Sequence, residues 1–430
     1  MDLDFSIPKK KGWIDRAFQT IVQNQSQEMP LKTTAVSPRK LAIWTEINSV
    51  LNLLRVTGID LTPNDNNYSR QVKTYHGFCS VVGILAFALN FSFIASEVVF
   101  CGITKFVSSS VVICMGSTLC LSLLLWIVMF RRRKLFSQLI DRSGTIYDLF
   151  RVNTNLKLRR WSTISACYVF FAPLVASVCS VSSIQHDDSY YYLHCYTFGN
   201  KVATTNYYYK DILLLFFLTI ENYMQLFLPN LVTVLLYFLC EHLSDIINTF
   251  VAKCKNENWR DYCMTHGEAK TYKMLELYKG IRKNFDALHQ LSSLPIFLII
   301  SQKFLTLFFT LTVILSSKKK KILIQIIEAC FLAFNALMSL VFLITSGSRI
   351  KESHLKIRSL LFEMSEFRDR HRCSIKQELF PLLKTFVEKE DMVMTAGGMI
   401  PLTRSLFLQI GAALVTYGVL IVQLDTSDAS

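Results

Sequence analysis

LFLQIGAALVTYGVLIVQL, Leu406 to Leu424, is an apolar run broken by polar side chains at Gln409, Thr416 and Gln423. An unpartnered amide is costly in hydrocarbon, so polar groups at membrane depth face protein or a water-filled path. At about 100° per residue, Gln409, Ala412, Thr416, Leu420 and Gln423 fall within roughly 40° of one line along a helix. Tyr417, Ile421 and Val422 lie off that line, while Gly411, Ala412 and Ala413 let a second helix approach closely. The run is therefore expected to be a membrane helix with one polar or small face.

The rest of the chain agrees. Its 430 residues are 51% hydrophobic and 13% aromatic, with 18% charged, a composition suited to a polytopic membrane protein. A hydrocarbon core about 30 Å thick needs roughly 20 apolar residues in helical form. That criterion places spans near 77–103, 107–130, 161–183, 211–240, 294–317, 322–347 and 405–424. Runs of this length are too long for barrel strands, which also alternate. The reading is all-α, with seven transmembrane helices and termini on opposite sides.

The formal charge of +14 is a topology signal and does not call for nucleic acid. With the N-terminus in the cytosol, 37 of the 46 Lys and Arg residues lie in cytosolic segments and 7 in external loops, which fits the positive-inside pattern. The run Lys318 to Lys321 is the one conflict, because it must be translocated. The first 40 residues are polar and carry no cleavable leader pattern. Segments 241–292 and 353–393 have apolar residues at helical spacing, including Leu361, Leu379 and Leu383, and are expected to pack together below the membrane. Gly58 and Pro63 bracket a turn before the first span.

The twelve cysteines form no CxxC pair, and the eight histidines show no ligand spacing. No metal or cofactor is expected. Cys101 and Cys195 lie toward the oxidising face, where a bridge and two buried thiols are both open. No nucleophile with a base stands out for an intramembrane enzyme, so catalysis is not expected.

The polar stripe on the last helix has two readings. Either Gln409, Thr416 and Gln423 bond to neighbouring helices of one bundle, or copies of the helix surround a water-filled axis lined by Thr416, Leu420 and Gln423. On the second reading Leu420 or Leu424 narrows the path to a dewetting gate. Asp425 and Asp428 would then concentrate cations at the mouth.

The segment Thr395 to Leu424, with Thr416 and Tyr417, five apolar residues and Gln423 near its end, resembles the C-terminal signature of the insect gustatory receptors. The family pattern has Phe where this chain has Leu424. The resemblance implies a ligand-gated cation channel, a homotetramer or a heteromer with other gustatory receptors, which needs no G protein. It also implies a last helix around a central pore, with Tyr417 beside the pore residues, and an anchor of cytosolic helix extensions. Pro401 and Arg404 fit the break between anchor and membrane helix. On this basis residues 1–45 form a cytosolic tail, 46–347 a pre-membrane helix and six spans holding the ligand pocket, 348–404 the anchor, 405–424 the pore helix and 425–430 an external tail.

The implied pocket opens outward between spans two and six and takes a small-molecule tastant. Its candidates are Tyr168, Phe170 and Phe171 in the third span and Glu221, Asn222 and Gln225 in the fourth. Gln302 and Lys303 in the fifth, with Gln325, Glu328 and Asn335 in the sixth, complete the set. Each has a structural alternative, such as an interhelical pair of Lys303 with Glu328. Tyr190 to Tyr192 and Tyr207 to Tyr209 fit a pocket roof or an interfacial belt equally. Sugar receptors of the family often carry Glu after the Thr-Tyr pair, where this chain has Gly418. That favours bitter or plant secondary compounds over sugars. The rivals are a sugar receptor, a related odorant receptor channel and a transporter. A G-protein-coupled receptor would put the 37 basic residues outside, and the chain lacks its DRY and NPxxY motifs.

Overall fold

The computed structural model describes residues 46–61, 109–149, 156–183, 207–256, 267–315, 323–371 and 391–427, with isolated positions at 81, 85, 88, 92, 385 and 387. The described elements are helices α1 (Asn48–Val56), α2 (Ser109–Leu149), α3 (Leu156–Ser183), α4 (Tyr207–Asn222), a π-helical turn (Tyr223–Phe227), α5 (Leu228–Asn256), α6 (Gly267–Leu315) and α7 (Leu323–His371). A two-stranded hairpin, β1 (Thr395–Ala396) and β2 (Ile400–Pro401), and α8 (Ser405–Ser427) follow. Six of the seven expected spans thus fall on described helices. The first span, the lysine run 318–321, the Cys101 and Cys195 pair, and Tyr190 to Tyr192 lie outside the described residues, as do the side chains of Tyr207 to Tyr209 and Leu424.

Four helices, Lys157–Ser182, Asp211–Lys255, Met274–Leu315 and Gln325–Glu366, are long and apolar enough to cross a membrane, with Ser405–Leu420 a shorter apolar helix. Fourth-span residues are 78% buried over their most apolar window, against 33–39% in the third, fifth and sixth spans. The fourth span is therefore the most enclosed of these four. Helix α6 packs on α2, α7 and α8, α5 on α7 and α2, and α3 on α4 and α7.

The basic segments are helical continuations of the spans, as expected of helix extensions. Nothing in RRRKLFSQLI, residues 131–140, stops a helix, since Arg, Lys, Leu and Gln are good helix formers. Pro295 lies inside α6 and has no N–H for the carbonyl four residues back, that of Leu291. Arg132 of α2 donates to that oxygen at 3.0 Å and to Gln290 O at 3.1 Å. The turn after α1 is as expected: Gly58 has φ 81°, and Trp126 Nε1 donates to Thr57 O at 3.0 Å.

The all-α expectation needs one local amendment at the hairpin. Thr395 pairs with Pro401 and Ala396 with Ile400. The connection uses Gly397 at φ 61° and Gly398 at φ 74°, a left-handed conformation that favours glycine.

Candidate functional site

Two places carry polar chemistry at membrane depth. The first begins with Pro229 in the fourth span, which cannot donate to the carbonyl of Gln225. The adjoining π-helical turn loosens the backbone there, and the Gln302 side-chain amide of α6 donates to Gln225 O at 2.8 Å and to Ser122 Oγ at 2.9 Å. One side chain so ties the second, fourth and fifth spans together.

The next residue, Asn230, is a hub. Its Oδ1 accepts from Lys303 Nζ at 2.8 Å and from Ser339 Oγ at 2.9 Å. Its Nδ2 donates to Asn335 Oδ1 at 3.0 Å, which also accepts from the Tyr168 hydroxyl at 3.0 Å. Asn230, Lys303, Ser339 and Asn335 are all buried. An unpaired lysine at the bilayer centre costs about 2.5 to 3.5 kcal/mol, and a hydrogen bond to a charged group returns roughly 1.5 to 3.

The structure thus brings Tyr168, Lys303 and Asn335 together, with Gln302 and Gln225 one step away. The suggested Lys303–Glu328 pair is not formed. Lys303 bonds to Asn230, and Glu328 accepts from Ser180 Oγ, because α3 and not α6 lies beside that turn of α7. Glu221 accepts from Gln225 Nε2 at 3.2 Å, and Asn222 Nδ2 donates to Ser177 Oγ at 3.2 Å. Phe170 and Phe171 face outward, and Phe170 meets Tyr223 edge-on at 6.0 Å. Gln325 is half-buried, about 15 Å along α7 from Asn335 at 1.5 Å per residue. Sequence reasoning missed Pro229, Asn230 and Ser339. The signal was available for the first two, as a proline followed by an amide inside an apolar run.

The second place is α8. Phe407, Ile410 and Leu414 pack on the core, and the Tyr417 ring meets Phe308 of α6 at 5.0 Å. Tyr417, grouped with the pore residues on sequence, therefore belongs to the α6 contact. A Cβ on Gly418 would touch Leu315 at 3.5 Å and Leu311 at 3.6 Å, so that glycine also faces α6. Gln409, Ala412, Thr416 and Leu420 are exposed on the other side, and Gln423 is exposed at the edge of the α6 contact. Thr416 Oγ1 donates within its own helix, to Ala412 O at 2.9 Å. A groove of about 450 Å³ between α6 and α8 is lined by Leu311, Leu315, Leu414 and Val419, with Gln423 at its end.

The root of α8 is clamped. Gly397 N–H donates to Ser293 O and Gly398 N–H to Ser293 Oγ, both at 2.9 Å. Leu402 fills the space over Gly347 of α7, where an added Cβ would lie 2.7 Å from Leu402 Cβ. Arg404 pairs with Glu352 at 2.7 Å.

Beyond the apolar windows, on the basic side, Arg349 pairs with Glu241 and Arg358 with Asp391, the latter at 2.9 Å. The Tyr278 hydroxyl and His354 Nε2 are 3.2 Å apart, and burial with the nearby Arg358 pushes His354 down to about 4. His242 Nε2 lies 3.3 Å from Glu46 Oε2, both side chains buried. The carboxylate favours an imidazolium, but burial dominates and pushes His242 down to about 4, so the ring is neutral near pH 7. Among the described residues no cluster of metal-ligating side chains occurs.

Comparison with known proteins adds the following. A family model described as "7tm Chemosensory receptor" matches residues 47–428. The solved insect olfactory receptor OR5 from Machilis hrabei, in complex with eugenol, aligns with a TM-score of 0.55 at 12% identity, covering 89% of this chain and 98% of that one. A second structure of that receptor aligns with a TM-score of 0.56 at 11% identity, covering 88% and 97%. No curated protein matches the chain.

Proposed function

Since the chain belongs to the 7tm chemosensory receptor family, we propose that it is an insect gustatory receptor acting as a ligand-gated, non-selective cation channel in the plasma membrane of a sensory neuron. The observation that carries this reading is the exposed face of α8. Gln409, Ala412, Thr416 and Leu420 turn away from the one element α8 extensively contacts among those described, α6, and Gln423 is exposed at the edge of that contact. Four such faces around an axis would pair their amides across water and remove Val419 and Leu420 from lipid. The N-terminus lies in the cytosol and the C-terminus outside, supported by the 37 to 7 division of basic residues.

The ligand enters between spans two and six, near Tyr168, Glu221, Gln225 and Asn335. Helix motions there reach the pore through the clamp at Ser293 and Gly347. Bitter or plant secondary compounds are favoured over sugars by Gly418, whose place against Leu311 and Leu315 is a poor site for a carboxylate. The odorant branch is the second reading, favoured by the shared fold with an olfactory receptor; Thr416, Tyr417 and Gln423 favour the gustatory branch.

The test is whole-cell current from cells expressing this chain alone, given alkaloids, steroids, glycosides and sugars with GDPβS in the pipette. A fast cation current that persists under GDPβS supports the reading. A response abolished by GDPβS, or uptake of labelled compound without current, contradicts it.

A further inference from the structure

The hub around Asn230 leaves two buried donor groups short of described acceptors. Asn230 Oδ1 takes two hydrogen bonds, from Lys303 and Ser339, and Asn335 Oδ1 takes two, from Tyr168 and Asn230. The Ser339 hydroxyl has one proton and also lies 3.0 Å from the backbone O of Asn335, so it serves that oxygen or Asn230 Oδ1, one at a time. Lys303 Nζ makes one described bond out of three available donors, and it has no carboxylate partner among the described residues. Asn335 Nδ2 is buried with no partner among the described residues. Both donor groups adjoin the same Asn230 amide, one at each end of it.

A buried ammonium beside a buried amide N–H that has no described acceptor is a match for an anion. We propose that Lys303 and Asn335 form an anion-binding site at membrane depth, which takes a small carboxylate ligand or an inorganic anion such as chloride. The site is reached past Tyr168, which is 37% exposed at the seam of α3 and α7 while its hydroxyl bonds to Asn335. Tyr168 donates to the Asn335 amide oxygen, and Nδ2 of the same amide is the group without a described partner. The proposal deepens the reading of spans two to six as the ligand pocket and rests on it.

The test uses purified full-length receptor in a chloride-free zwitterionic buffer, with thermal unfolding followed by tryptophan fluorescence. Sodium benzoate, its neutral isostere benzamide, and sodium chloride are titrated separately. Benzoate raises the unfolding temperature saturably and benzamide at equal concentration does not. If chloride alone gives a saturable rise and displaces the benzoate midpoint, the site takes an inorganic ion; if chloride is inert, it takes the organic carboxylate. Lys303→Met weakens the benzoate midpoint by about tenfold or more, as expected for loss of a charge-assisted bond. If that variant does not fold, Asn335→Ala must show the weakening instead. Equal shifts from benzoate and benzamide, no shift from either anion, or a benzoate midpoint unchanged in both variants each overturn the proposal. Currents evoked by neutral tastants read the channel assignment separately and persist if only the anion site is wrong.

Discussion

The middle of the fourth span and the last helix sit in the same hydrocarbon and solve the same problem differently. At Asn230 the side-chain oxygen and nitrogen are both used within one chain: the amide joins side chains from α6 and α7 and, through Asn335, from α3. On α8, Gln409 and Thr416 are exposed, and Thr416 bonds only to its own helix among the described contacts. The first arrangement holds its polar groups between helices of one protomer, whereas the second leaves most of its polar stripe exposed, the face that the proposed channel assigns to neighbouring copies. Stability should therefore concentrate in the first region and conduction in the second.

Substitutions at the hub should have the largest effect on folding. Asn230→Leu leaves Lys303 buried without its acceptor, which is expected to cost about 3 kcal/mol or more. Fluorescence-detected size exclusion after heating should show most of the protein lost. Wild-type-like melting would show that the hub is dispensable and blur the contrast.

Gly347→Ala is next, because its Cβ would collide with Leu402. A loss of roughly 1 to 3 kcal/mol is expected, with altered gating because the α8 root shifts. Gly418→Ala is the control on the other side of the comparison. Its Cβ meets leucines at ordinary contact distance, so melting should stay within about 0.5 kcal/mol of wild type.

Acid should loosen the basic end before the membrane core. His354, faced by Tyr278, Arg282, Arg358 and Asp391, has its folded value pushed down to about 4 from 6.5. Folding thus favours the neutral ring. Its contribution is complete above pH 6.5, declines as pH falls through 6.5, and is gone near 4. His242 behaves alike. At pH 5 each is expected to cost roughly 1 to 2 kcal/mol, visible as faster hydrogen exchange in α7 near His354. His354→Gln should flatten part of that dependence.

Gln423→Ala and Leu420→Ala should have the smallest effect on folding, within about 0.5 kcal/mol, yet change conductance, basal leak or ion selectivity severalfold. Unchanged currents from well-expressed variants would remove these positions from the ion path.

Most of the architecture was legible because apolar length is a local property. The helix α8 follows the expected run 405–424 with bounds of Ser405 and Ser427, and the spacing of Gln409, Thr416 and Gln423 placed them on one face without deciding whether that face is packed or exposed. Partners were not legible. Lys303 and Glu328 are opposite charges at similar depth, but which helices adjoin is a tertiary fact, and each found a neutral partner. The continuation of α2, α6 and α7 past the bilayer was half visible, since helical spacing continued but its phase relation to the spans did not stand out. The hairpin escaped because two-residue strands carry no periodicity; Gly397 and Gly398 were its only mark. Asn230 was passed over because a single amide in an apolar run gives no sign of how many bonds it makes.

The central claim, that the exposed face of α8 lines the ion path, is tested most directly by thiol accessibility during current recording. Cysteine is placed at Leu420, Gln423 or Gly418, and a charged methanethiosulfonate is applied while the channel is open, with the wild-type chain as control for native cysteines. Rapid block at Leu420→Cys and Gln423→Cys, with none at Gly418→Cys, is the predicted result. Block at Gly418→Cys alone would put the path on the α6 side of the helix and contradict the account.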